Sequence, residues 1–120
     1  MKLEGMDNLL SEIERLGQKG ARIENKALRE AGDVVKEAIL SEVPVRTGTL
    51  KASITRSNVK TKDGVKRVEI GPGKDGYYGA FLEFGTSKMS ADPFMSRGYD
   101  KSKDSAESKI ADEIKKGLGL

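Results

Sequence analysis

Apolar residues recur along the chain with two different rhythms, and each rhythm predicts a kind of element. Met6, Leu9, Leu10, Ile13 and Leu16 follow the i, i+3, i+4, i+7 spacing of one helix face, with acidic residues on the other face. Gly17 ends this first helix, and Gly17-Gln18-Lys19-Gly20 predicts a short break. A second helical stripe follows: Ile23, Ala27, Leu28, Ala31, Val34, Val35, Ala38 and Ile39. Its three alanines allow a neighbour to approach closely. It runs to about Val43, because Pro44 disfavours a helical conformation in the residue before it.

After a short turn through residues 47–53 the rhythm changes to two. Thr47 or Thr49 can cap that turn with a hydroxyl oxygen, Gly48 permits it, and Leu50 is placed to plug the core. Residues 54–60 read as a strand and 65–70 as its return, with Val68 and Ile70 on one face. Lys62-Asp63-Gly64 supplies the Asp-Gly turn of a tight hairpin. Residues 71–76 form a glycine-rich loop, 77–84 a third strand or short helix, and 85–91 a second loop. Asp92-Pro93 then predicts a helix start, with Asp92 as N-cap and Pro93 in the first helical position. The last helix should run to about Lys116 and stop at Gly117, with a narrow stripe of Phe94, Tyr99, Ala106, Ile110 and Ile114. The fold class is therefore α+β: an antiparallel sheet of about three strands packed against long N- and C-terminal helices, in one domain spanning residues 1–120.

Composition narrows the function. Hydrophobic residues make up 36% of the chain and charged residues 34%, which suits a thin core or a surface completed by partner subunits. With no cysteine and no histidine, a disulfide framework, a thiolate metal site and the commonest general base are all excluded. No apolar run approaches the roughly 20 residues of a membrane span. Residues 44–88 carry nine basic and four acidic side chains. This basic middle could face an acidic partner, nucleic acid or only solvent.

Chemistry is harder to place. Gly71-Pro72-Gly73-Lys74-Asp75-Gly76 matches G-x-G-x-x-G, but the strand before it pairs in a hairpin. A dinucleotide site needs a parallel β-α-β unit instead. A phosphate-binding loop fails because Asp75 follows Lys74 where Ser or Thr is required. The acids lie mostly on helix faces at spacings that suit solvated pairs, such as Glu12 with Arg15. No catalytic, cofactor-binding or metal residue is expected, and an enzyme is disfavoured. The competing reading is a small nucleic-acid-binding protein that uses the 54–70 hairpin, with Lys60, Lys62, Lys66 and Arg67 around its tip. Aromatic stacking platforms are not interleaved with these cations.

All six aromatic residues fall between Tyr77 and Tyr99, so this stretch should anchor the core, an interface, or both. Beside it lie two motif blocks. One is Val43-Pro44-Val45-Arg46-Thr47-Gly48-Thr49-Leu50-Lys51-Ala52-Ser53-Ile54. The other is Tyr78-Gly79-Ala80-Phe81-Leu82-Glu83-Phe84-Gly85-Thr86, followed by Ala91-Asp92-Pro93-Phe94-Met95. Together, over residues 21–116, they resemble the tail-component family of siphophages and prophages, whose members act as tail-completion or head–tail joining proteins.

That resemblance implies a structural virion protein, made in the bacterial host cytoplasm and located at the head–tail interface. It implies a ring, hexameric in the family, that docks the tail tube onto the head connector and leaves a channel for DNA. No membrane is involved and no cofactor is implied. Tyr77, Tyr78, Phe84, Gly85, Thr86, Ser87, Lys88 and Met89 are the candidate assembly interface. Thr47, Gly48, Thr49 and Leu50 are a structural turn, and Arg46 is a candidate partner for Glu83.

Overall fold

The computed structural model describes residues 6–43, 48–73 and 93–120. Its frame is a pair of long antiparallel helices, α2 (Gln18–Glu42) and α4 (Phe94–Leu118), each of 25 residues. At 1.5 Å per residue each spans about 37 Å. A shorter helix, α1 (Met6–Arg15), lies against both near the chain ends. A single turn and a half of helix, α3 (Gly48–Ser53), leads into the β-structure. The α+β class expected from the sequence is the class observed.

Helix α1 buries Leu9 and Ile13, as its apolar rhythm predicts, and leaves Leu10 partly exposed. Gly17, at φ +60°, turns the chain, and α2 begins at once at Gln18. The expected break over 17–20 is thus confined to its first residue. At the other end Val43 adopts the extended conformation (φ −65°, ψ 133°) that a following proline favours.

Helix α4 departs from expectation at both ends. Pro93 does not occupy the first helical turn but caps it at ψ 65°, and its carbonyl accepts from Arg97 N–H at 3.0 Å. Gly117 does not stop the helix. A Cβ there would lie 2.6 Å from Ile23 Cγ2, so the glycine lets α4 run closely past α2. The helix ends at Gly119, which takes the left-handed conformation at φ +80°. The stripe is also different. Its buried members are Phe94, Gly98, Ser102, Ala106, Glu113 and Ile114, whereas Tyr99 is 53% exposed. Small residues four apart make the seam, and at Gly98 a Cβ would sit 2.6 Å from Ile39 Cα. Ser102 belongs there because its hydroxyl donates to Gly98 O at 2.8 Å, which satisfies it inside the seam.

Two apolar centres result. The larger joins Ala31, Val35, Ile39 and Val43 of α2 and its exit to Leu50, Ile54, Phe94 and Ala106. The smaller joins Leu9, Ile13, Ala27 and Ile114. Phe94 and Ile114 are fully buried, and complete burial of one such side chain is worth roughly 1.5–3 kcal/mol.

The β-structure is one ribbon of four short strands: β1 (Ile54–Arg56), β2 (Lys60–Lys62), β3 (Val65–Arg67) and β4 (Ile70–Pro72). β1 pairs antiparallel with β4, Ile54 opposite Pro72, and β2 pairs with β3, Lys60 opposite Arg67. The expected turn is present, with Asp63 at φ 52° and Gly64 at φ 77°. Between the two pairs, residues 57–59 face only 68 and 69, so the ribbon carries a bulge. Ser57 holds it: its N–H donates to Glu69 O at 2.8 Å, and its hydroxyl accepts from Glu69 N–H at 2.9 Å. The third strand or short helix expected over 77–84 lies outside the described residues, as does Asp92, the expected N-cap.

Candidate assembly surface

The ribbon lies along α2 and is fastened to it by polar side chains. Arg56 reaches Asp33 at 2.6 Å, and Lys66 donates to Asn25 Oδ1 at 2.9 Å. Between these points Arg56 and Val68 cross Gly32. At Ile54 the ribbon joins Phe94 of α4 in the larger apolar centre. An open groove of about 730 Å³ remains between the two, with α2 as its floor. Gly32 and Val35 contribute to the floor, Val68 and Ile70 to the ribbon wall, and Met95 and Tyr99 to the α4 wall. The period-two rhythm that put Val68 and Ile70 on one face therefore has a consequence, since both line the groove. Tyr99 lines it too, at the edge, which its exposure explains better than a place in the core.

Each end of the helix pair is clamped by a carboxylate. At one end Glu42 meets Arg97 at 3.1 Å and Lys101 at 3.3 Å. The hydrogen bond from Arg97, then that from Lys101, holds the Glu42 carboxyl below its ordinary range. At the other end Glu113, with a side chain only 5% exposed, meets Lys109 at 3.2 Å, Lys26 at 3.5 Å and Lys116 at 3.6 Å. The hydrogen bond from Lys109 lowers its pKa against the opposing effect of burial, and the charges of Lys116 and Lys26 add to the lowering. Both clamps tie α2 to α4.

The cations of the hairpin are largely engaged. Lys60 and Arg67 both approach Glu69, at 3.6 and 3.2 Å, and Lys66 and Arg56 are turned onto α2. The patch that a nucleic-acid reading needs is therefore divided between an acid on the ribbon and the helix beneath it. Glu12 and Arg15 form the expected pair on α1, at 2.7 Å. Among the described residues no group of acidic side chains is arranged to hold a metal ion.

The residues expected to form the interface, Tyr77, Tyr78, Phe84, Gly85, Thr86, Ser87, Lys88 and Met89, lie outside the described residues. So do Arg46, Thr47 and Glu83. Of the expected turn, Gly48, Thr49 and Leu50 open α3, and Leu50 is 2% exposed in the larger apolar centre. Sequence reasoning missed the glycines of the helix seam and the bulge at Ser57. The small residues at Gly98, Ser102 and Ala106, four apart on one face, were the signal for the first. The bulge left no comparable signal.

The groove has apolar walls, and the frame beneath it is built for close helix contact. Residues 7–85 match the model of the HK97-gp10-like family, described as "Bacteriophage HK97-gp10, putative tail-component". The chain belongs to this family of phage tail components. The matched stretch begins earlier than the resemblance in the motifs suggested and ends at Gly85, before α4. No curated protein and no solved structure matches the chain.

Proposed function

We propose that this phage tail component completes the tail and joins it to the head connector, assembling as a ring at the head-proximal end of the tail with a channel for DNA. Membership of the tail-component family carries this reading. The open groove supports it, because an apolar concavity of this kind on a small domain is a place for a partner segment. The chain acts as a structural subunit of the virion and not as an enzyme. Its partners are further copies of itself, the connector and the tail tube.

Residues 77, 78 and 84–89 are the proposed contacts in the assembled particle. In the sequence they fall between β4 and α4, and Ile70 and Met95 of those two elements line the groove. Hydrogen exchange on free and assembled protein tests this. Slower exchange over these residues in the particle is expected, and equal exchange in the two states removes them from the interface.

The joining role is tested by electron microscopy of particles assembled without this protein. Separate heads and tails are expected, and normal virions would overturn the reading. The nucleic-acid alternative predicts salt-steep binding to duplex DNA. The engagement of Lys60, Lys66 and Arg67 argues against it.

A further inference from the structure

The ribbon has one strand edge that the described residues leave unpaired, and it opens on the groove. Of the ribbon, only the returning strand, 65–72, lines the groove. Its backbone alternates. Glu69 O accepts from Ser57 N–H, and Gly73 N–H donates to Ser53 O, so these two residues face the outgoing strand. Strand geometry then turns the N–H and C=O of Val68 and Ile70 the other way. Among the described residues each sheet has two strands, and none pairs with that edge. Pro72, two residues further along it, has no N–H to leave open. Val68 and Ile70 also line the groove with their side chains. Open backbone groups beside an apolar floor are what an added strand requires.

The chain itself supplies such a strand. Residues 74–92, outside the described residues, leave from Gly73 and return at Pro93. The two ends meet at one end of the groove: Gly73 is bonded to Ser53, and Ile54 packs with Phe94. The connection is far longer than that gap requires. Residues 77–84, at about 3.3 Å per residue in a strand, span about 26 Å. The groove floor from Leu28 to Ile39 of α2 is about 17 Å long at 1.5 Å per residue. Residues 85–92 are then left for the return. The pattern fits as well. Tyr78, Ala80, Leu82 and Phe84 make one side without charge, while the other holds Gly79 and Glu83. A hairpin loop over 73–77 puts Ala80 opposite Ile70 and Leu82 opposite Val68. Glu83 then stands opposite Arg67 on the outer face, where opposite charges stabilise a cross-strand pair.

We propose that residues 77–84 add to strand 65–72 as an antiparallel third strand of the same subunit, with Ala80 and Leu82 turned into the groove. A tether of a few residues holds this segment at an effective concentration near millimolar, above that of a second copy in solution. The groove then meets partners through the strand seated in it. Tyr77, Tyr78 and Phe84 fall at the ends of that strand and residues 85–89 beyond it, so the contacts proposed for the particle stay at the rim.

The full-length free protein tests this with no tail present. In hydrogen exchange of the wild type, the amides of Val68 and Ile70 should be as slow as that of Gly71, which the pairing of β1 with β4 already holds. Exchange at the rate of unpaired amides would overturn the proposal. Leu82→Asp places a charge in the groove and should speed both amides by about tenfold or more, while those of α4 keep their rates. Unchanged rates at Val68 and Ile70 would count against the strand. Because the chain has no cysteine, a disulfide reports the register. Arg67→Cys with Glu83→Cys should close within one chain under mild oxidation, and Arg67→Cys with Leu82→Cys, on opposite faces, should not. Equal bridging by the two pairs would overturn the register, and covalent dimers in place of the internal bridge would assign the groove to a second copy. None of these measurements depends on the role in the tail.

Discussion

Between α2 and α4, backbone lies against backbone. A methyl group added at Gly98 would fall 2.6 Å from the Cα and 2.8 Å from the N of Ile39. Between α2 and the ribbon, the contact at Gly32 is made by side chains: a methyl group there would meet Arg56 Cδ at 2.8 Å and Val68 Cγ2 at 3.0 Å. Both are close approaches over a glycine, but they differ in what can yield. A helix backbone cannot move without carrying its neighbours, while an arginine stem can change rotamer. The helix pair is thus the fixed part of the molecule, and the ribbon is held by side chains, apolar at Ile54 and polar at Arg56 and Lys66. In a groove bounded by both, one wall is set and the other can adjust to an occupant.

The largest test of this contrast is the removal of core volume on each side. Phe94 is fully buried at the start of α4, and Phe94→Ala should cost about 3–5 kcal/mol. Val68, half-buried on the ribbon, should cost about 1 kcal/mol as Val68→Ala, because its surroundings can close over the gap. Chemical denaturation of both variants gives the two values. Equal losses would mean that the ribbon is as tightly set as the frame.

The same substitution at the two glycines comes next. Gly98→Ala should destabilise by about 1–3 kcal/mol, since α4 must move off Ile39. Gly32→Ala should change stability by less than about 1 kcal/mol, because alanine's better helix propensity offsets the displacement of Arg56. Thermal melts of the pair decide it, and a Gly32→Ala variant that melts as early as Gly98→Ala would erase the distinction.

The carboxylate clamps give the frame a pH dependence. Glu42 and Glu113 both have folded pKa values below their unfolded ones, held down first by hydrogen bonds from Arg97 and from Lys109 respectively. Their contribution to stability is therefore complete above the unfolded value of roughly 4.3 and is lost as pH falls through the lower folded values. Glu113→Gln should melt below the wild type at pH 7, and the gap should shrink as the pH is taken from about 5 towards 3. A gap that stays constant across that range would show that Glu113 acts by shape and not by charge.

How much of this was legible differs between the two regions. The helices and the hairpin follow from apolar spacing, from Pro44 and from Asp63-Gly64, each of which acts locally. The seam of α4 was misread because apolar residues were sought on it. Its working residues are Gly98, Ser102 and Gly117, which matter for the volume they lack, and Tyr99 was drawn into the stripe by its ring alone. Gly117 looked like a stop because a glycine near a helix end commonly is one. Only the position of Ile23 on another helix shows otherwise. Of the candidate site, the groove walls at Val68 and Ile70 were readable from their period. The bulge that aims them was not.

That bulge is where the smallest effect should appear and where it says most about the ribbon. Residues 57–59 face 68 and 69, so one residue on the outgoing strand has no partner across the ladder. Ser57 makes up the deficit with its side chain, accepting from Glu69 N–H in place of a backbone carbonyl. Glu69 is in turn the acid that meets Lys60 and Arg67. The serine therefore sets the register on both sides of the bulge and keeps Val68 and Ile70 turned to the groove. Ser57→Ala removes two exposed hydrogen bonds, the one accepted from Glu69 N–H and the one donated to Asn58 O, and should cost only about 1 kcal/mol. Its effect on geometry should exceed its effect on stability: amide exchange at Glu69 should quicken, and the backbone resonances of Val68 and Ile70 should shift, while those of α4 stay in place. If the α4 resonances move as far as those of the ribbon, the two walls of the groove are coupled and the adjustable one is not independent of the fixed one.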